Sequence, residues 1–424
     1  MWEKLAQIWR VKELRNKILY VLGILFIFRV AAHIPIPGIN VTSLRNFFES
    51  NQLLGLLNMF SGGAMQNFSI VMLGVGPYIT SSIIFQLLMM IIPSLEQLSK
   101  EGEAGQQKLN QYMRILTVPL AALQAYSMIT LLKQQGQGII PSMSHFQLVT
   151  AIITITAGSI FLMWLGELIS EKKIGNGISL IIFAGIVARV PSEIQQTFAV
   201  FDVSKIFSLV LFLAIGLVTI AGVVIVTEGQ RNIPVSYARR IRGNRVYGGV
   251  STHLPLRVNQ AGVIPIIFAI SLVVVPPIVA QFFVNSKTVW LAHLAQWFVA
   301  TFRGGPIYSI VYFILVVVFT YFYTTVIFHP DQIAENLQKQ GGFIPGLRPG
   351  RNTAEYLNYV SNRIVLAGAL FLGVIAVLPS IMQSATNITT LVLGGTSLLI
   401  VVSVVLDTVK QVESQLTMRD YEGF

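Results

Sequence analysis

Ten apolar runs divide this chain of 424 residues, each close to the roughly 20 residues a helix needs to cross a bilayer core. They fall near residues 18–34, 70–92, 115–132, 148–166, 176–190, 206–226, 260–283, 307–328, 364–382 and 389–409. Lipid offers no partner to backbone N–H and C=O groups, so runs of this length must close their own hydrogen bonds as helices. The expected fold class is an all-α membrane protein of ten transmembrane helices. Charged residues make up 11% of the chain, against about 25% in soluble domains, which excludes an ordinary soluble enzyme.

The basic residues orient these spans. With the first residues inside, the expected cytoplasmic segments hold 22 of the 29 Lys and Arg, as short cytoplasmic loops should. Arg29, Arg45, Lys133, Arg189, Lys205, Lys287 and Arg303 are the remainder. Both ends are therefore expected in the cytoplasm. The net charge of +11 resides in loops between spans, which points to topology rather than to nucleic acid. The opening "MWEKLAQIWRVKELRNK" is basic and amphipathic without a small-residue cleavage site, and is not expected to be a removable signal peptide. No Cys occurs, so disulfide and thiolate chemistry are excluded.

Five spans on either side of the segment at 189–205 give two halves, 1–195 and 196–424, that enter the membrane from opposite sides. Such inverted pairs tend to enclose a pathway. Two cytoplasmic loops, 227–257 and 329–363, are long enough to be functional. The first alternates apolar and basic residues around "IRGN", which predicts a hairpin carrying Arg239, Arg240, Arg242 and Arg245. The second predicts a short helix, a Gly-Gly stop and Pro-Gly turns presenting Arg348 and Arg351. These charges are either topology signals or a docking platform for a large partner.

Catalytic signatures are missing: no phosphate-cradling Gly-rich loop with Lys, no H-E-x-x-H and no G-x-S-x-G. The five His residues are scattered, so neither a metal nor a cofactor is expected. Arg29 is the one charge expected deep in the membrane, turned into the bundle. Gln86, Gln124 and Asn259 are polar residues of the spans, and serve either as interhelical glue or as a latch on a seam that opens. The stretch "NMFSGGAMQNFSIVML" is too polar in its first part for a lipid-facing helix, because the polar groups and loosened backbone of Ser61, Gly62, Gly63, Gln66, Asn67 and Ser69 would lack partners there. A channel, an ion-coupled secondary transporter for small solutes, or an insertase-type scaffold without an aqueous pore all remain open on these residues.

Seven blocks in order carry a resemblance over essentially the whole chain: "FRVAAHIPIPGI", "NMFSGG", "KEGEAGQQKLNQY", "MWLGELISEKKIGNGISLIIFAGIV", "STHLPLRVNQAGVIP", "GGFIPGLRPG" and "GGTSLLIVVSVVLD". Together they resemble the SecY family of bacterial protein-conducting channels.

The resemblance implies a channel that passes unfolded, signal-bearing polypeptides across the bacterial plasma membrane and releases spans sideways into lipid, without catalysing a covalent reaction. It implies a plug at 56–68, including Leu57, Met59, Phe60, Ser61, Gly62 and Gly63, packed loosely enough to leave. It places Val75, Ile79, Ile178, Ile182, Ile267 and Ile400 on a pore ring, with Val at a position the family's aliphatic ring fills more fully. It puts Gln86, Gln124 and Asn259 on the helices of a lateral gate. The partners implied are a SecE-like clamp, a SecG-like small subunit, the SecA motor ATPase, the ribosome, preproteins and lipid, with Arg245 and Arg348 foremost in docking.

Overall fold

The computed structural model describes the chain outside residues 1–8, 38, 51–57, 59, 60, 135–143, 200–205, 238, 239, 243, 244, 248–250, 285, 287, 303, 304, 387–394, 423 and 424. All ten expected spans coincide with helices, and their ends differ in instructive ways. The first is α1, Lys12–Ala31, whose buried Leu14, Val21, Ile24, Phe28 and Ala31 recur at helical spacing. Its other face exposes Leu22, Phe26 and Val30, the pattern of a helix that meets lipid.

After the short α2, Val41–Ser50, the second expected span begins as helix only at Gly76. Residues 61–75 form successive turns, and α3 covers Gly76–Ile91 with Pro77 in its first turn. Extended Ile92 precedes Pro93, and α4, Pro93–Lys100, departs from α3 at 105°. The third span lies within α5, Glu103–Gln134, which reaches well outside the apolar run.

A reciprocal cap starts α6, His145–Glu171: the Phe146 amide donates to Ser144 Oγ, and the Ser144 amide donates to Gln147 Oε1. Asn176 caps α7, Gly177–Val187, by accepting from the Ser179 amide. The expected connector at 189–205 contains α8, Val190–Ala199. The sixth span is α9, Ile206–Glu228.

The first long loop is a hairpin, as its alternation predicts. Strands β1, Gln230–Tyr237, β2, Arg240–Arg242, β3, Arg245–Tyr247, and β4, Ser251–Arg257, pair antiparallel as β1 with β4 and β2 with β3. Beyond them come α10, Ile264–Phe283, α11, Val289–Thr301, and α12, Pro306–Ile327. In the second loop α13, Pro330–Lys339, ends at Gly341, whose φ of 73° suits glycine. Then β5, Gly342–Phe343, joins the free edge of β1 in a sheet of order β4-β1-β5. The ninth span is the middle of α14, Arg351–Thr386, and the tenth begins α15, Gly395–Glu422.

Four helices are by themselves long and apolar enough to cross a membrane, and the bent pair α3–α4 would supply a fifth, among the described residues. Compact packing groups the chain into one unit of Met1–Asp202, Ser271–Tyr308 and Ile400–Phe424, and another of Val203–Ile270 and Ser309–Leu399. In the first, Leu44, Phe47 and Phe48 of α2 share a core with Phe68, Met72, Ile129, Leu132 and Ile155. In the second, Ile233, Val235, Leu256, Ile344, Leu357 and Val360 make a small core beneath the sheet.

Candidate functional site

Among the described residues of the polar stretch, Asn58 and residues 61–65 are buried and bond largely within the stretch, while the buried Ser69 Oγ has no partner among the described residues. Asn58 is 1% exposed, and its carbonyl accepts from the Gly63 amide at 2.8 Å and from Ser61 Oγ at 3.0 Å. Its side chain donates to Gln66 Oε1 at 2.8 Å and accepts from the Gln66 amide at 3.1 Å. Ser61 Oγ also accepts from the Met65 amide. At the far end, the Ile36 amide donates to the Phe68 carbonyl and the Ile70 amide to the Ile34 carbonyl, clipping the stretch to the end of the first span. Satisfying these groups removes the desolvation penalty that lipid would impose.

Two contacts dock this knot. Arg29 Nη1, in the last turn of α1, donates to the Gly62 carbonyl at 2.7 Å. Gly62 has a φ of 68°, and a Cβ there would lie 2.7 Å from the Cα of Gly185 on α7. Glycine is required twice over, by the left-handed backbone and by the close approach. The loose packing expected of this segment is corrected: Ser61, Gly62, Gly63, Ala64 and Met65 are all buried. Its small residues serve close contact rather than slack. Leu57, Met59, Phe60 and Leu56 lie outside the described residues.

The aliphatic positions fall on four helices or at their ends. Val75 is the residue before α3, 3% exposed, and Ile79 stands one turn later, half-buried. On α7, Ile182 is buried one turn before Gly185, while Ile178 is half-buried with its side chain against Gly166 of α6. That approach is close because Gly177 also meets the Gly166 carbonyl; a Cβ on either glycine would overlap its neighbour. Ser170 Oγ fixes the turn, donating to Gly166 O and accepting from the Gly177 amide. Ile400 is 1% exposed on α15. Ile267, on α10, is buried in the other unit.

The polar span residues have local partners. Gln86 Nε2 donates to Ser82 Oγ, one turn back on α3, and its Oε1 has no partner among the described residues. Gln124 Nε2 reaches Thr80 Oγ1 at 3.5 Å, joining α5 to α3. Asn259 is 7% exposed, and its Oδ1 likewise has no partner among the described residues. Its neighbour Gln260 donates to Ser361 Oγ on α14, a contact no sequence signal announced.

Both long loops form one cap. Ser236 pairs with Phe343 and Tyr237 with Gly342, so the tip of the second loop is stitched to the hairpin of the first. Arg240, Arg242 and Arg245 sit on β2 and β3, and Arg239 lies outside the described residues. Arg348 is exposed, with its carbonyl accepting from Thr353 Oγ1 at 3.0 Å. Arg351 opens α14 and pairs with Glu355 at 3.0 Å, its side chain 90% exposed; such a surface pair contributes little stability.

A channel subunit of the SecY type is the class of protein that this fold defines. The SecY family profile matches residues 69–409. Protein translocase subunits SecY of Mycobacterium bovis and Mycobacterium leprae are 47% and 48% identical to the chain, covering 98% of it and 98% of their own length. That of Streptomyces griseus is 45% identical over the full length of both. Among solved structures, one described as a protein-conducting channel matches with a TM-score of 0.62 at 18% identity, covering 94% of this chain and 91% of its own. The Sec61 channel of a canine ribosome-channel complex matches with a TM-score of 0.61 at 19% identity and the same coverage. The chain belongs to the SecY family. It is a multi-pass membrane protein of a family of translocase channel subunits, and the small-solute transporter reading is set aside.

Proposed function

We propose that this chain is the channel subunit of a protein translocase, passing unfolded, signal-bearing polypeptides across a membrane and releasing apolar segments sideways into lipid. The observation that supports the reading is the self-bonded polar segment of Asn58 and residues 61–68, largely buried and docked on α7 through Gly62. A removable plug needs such a segment, because its polar groups must be satisfied both when seated and when it moves into water.

Beneath the plug, Val75, Ile79, Ile178, Ile182, Ile267 and Ile400 act as the constriction. An apolar ring gates ions by dewetting, and soft aliphatic side chains can close around a passing polypeptide of any sequence. Gln86, Gln124 and Asn259 serve the lateral seam, where Asn259 and Gln86 each have a carbonyl oxygen to offer. No covalent reaction is assigned to the chain, so work comes from outside. The cap of Arg240, Arg242, Arg245, Arg348 and Arg351 docks a SecA-like motor or a ribosome, while SecE-like and SecG-like subunits complete the assembly. The chain lies in the plasma membrane with both ends in the cytoplasm and two inverted halves, 1–195 and 196–424.

The test is transport of a signal-bearing precursor into vesicles containing this chain, a SecE-like subunit and the motor. Protease-protected precursor, dependent on the chain and on ATP, is expected. Ion-driven uptake of a small solute without precursor transport would overturn the reading.

A further inference from the structure

Helix α11 does not fit either of the ordinary destinations of an apolar helix. Its 13 residues, "VWLAHLAQWFVAT", contain no Asp, Glu, Lys or Arg, yet they would rise only about 20 Å, short of a bilayer core of about 30 Å. It is not buried either: Val289, Trp290, Leu294 and Trp297 are 68%, 70%, 40% and 58% exposed. Trp290 and Trp297 are seven residues apart and so share one face. The adjacent face, through Leu291, Leu294, Ala295 and Phe298, turns to Pro276, Ala280 and Phe283 at the end of α10. Between these two helices an open cleft of about 330 Å³ is lined by carbon alone, a size typical of ligand clefts.

We infer that α11 lies in the membrane interface at the end of α10 away from β4, and that the cleft between them holds an acyl chain of a membrane phospholipid. Tryptophan favours the headgroup boundary, where its ring is half wet and half dry. An apolar helix too short to span is expected at that depth. The cleft supplies only apolar contact, which suits a lipid tail. An apolar cleft beside exposed tryptophans is thus provided for a tail, in a span of chain that the transport reading does not use.

The test places the full chain, with its partner subunits, in vesicles of phosphatidylcholine brominated on one acyl chain. Two variants isolate signals, one keeping only Trp290 and Trp297 and the other only Trp164, a 52% exposed residue of the spanning α6. Strong bromolipid quenching of the α11 pair, with little quenching by aqueous iodide, is expected. Iodide quenching of the pair while Trp164 is still quenched by bromolipid would overturn the inference without touching the membrane reading. Emission insensitive to both quenchers would mean that a protein partner covers the helix, and would overturn it too. Filling the cleft with Ala280→Phe or Ala295→Leu should remove one retained phospholipid in native mass spectrometry of the folded complex. An unchanged lipid count in both variants would reject the cleft as the tail site.

Discussion

Arg29 Nη1 and the carbonyl oxygen of Gly62 lie 2.7 Å apart, a charge-assisted hydrogen bond between the first span and the polar knot that follows it. A half-buried guanidinium spent on a backbone carbonyl is an anchor, since such bonds contribute about 1.5–3 kcal/mol. Replacing Arg29 by Met should release the knot and raise the resting ion conductance of the reconstituted channel, while the chain remains inserted. Arg29→Lys, which keeps a donor without the planar fork, should fall between the two. Equal conductance in all three would separate this bond from the seal.

The two glycines of the knot should respond differently. Gly62→Ala sets a Cβ 2.7 Å from Gly185 Cα and holds an L-residue at a φ of 68°. Gly63→Ala meets nothing nearer than 3.8 Å and bears only the backbone strain, of about 1–2 kcal/mol. Planar-bilayer recordings should therefore show Gly62→Ala to be the leakier channel.

Exposure separates the aliphatic positions. Ile79→Ala and Ile178→Ala, at half-buried sites, should raise resting conductance at a cost below the about 2–5 kcal/mol of a fully buried isoleucine. Ile182→Ala and Ile400→Ala, at sites 1% exposed, should carry that full cost and lower detergent stability as well. Folded, silent Ile79 and Ile178 variants would remove these residues from the constriction.

Charge reversal at the cap should act on partners and spare the fold. Arg348→Glu is exposed and makes no side-chain bond that the cap core depends on, so loss of stability should be within about 0.5 kcal/mol. Motor or ribosome affinity should drop, and the wild-type affinity should itself decline as salt rises. Sedimentation binding across a salt series measures both.

Orientation has a simple check because the chain has no Cys. A single Gly346→Cys, at an exposed turn of the second loop, should react with an impermeant thiol reagent only from the cytoplasmic face.

What was legible in the sequence followed from long-range repetition of a simple signal. Each apolar run coincides with a helix because uncharged runs of that length must close their own hydrogen bonds, although the helices range from 11 to 36 residues. The hairpin around "IRGN" was legible because alternation and a turn coincide over many residues. In contrast, β5 has two residues and no period, and its partner Tyr237 lies in another loop, so nothing local announces it. Arg29 was expected inside the bundle, but its partner is a main-chain carbonyl 33 residues on, to which side-chain patterns are blind. The polarity of Ser61 and Gln66 suggested slack because composition does not reveal that Asn58 can satisfy both. Of Gln86 and Gln124, expected as interhelical glue or as a latch, Gln124 joins α5 to α3 while Gln86 donates within α3.

The two-residue strand β5 has a mechanical consequence. By fastening the second loop to β1, it makes the cap a single rigid handle whose core includes Leu357 and Val360 of α14. That same helix runs without a break for 36 residues, on the order of 54 Å, longer than a bilayer core of about 30 Å. Gly368 seats against the Val258 carbonyl at the exit of β4, welding handle to shaft a second time. A load applied to β1 or to β5 then reaches α14 through paired backbone and the shared core. Cutting the β1–β5 stitch would leave Arg348 and Arg351 in place and loosen β1 from that helix.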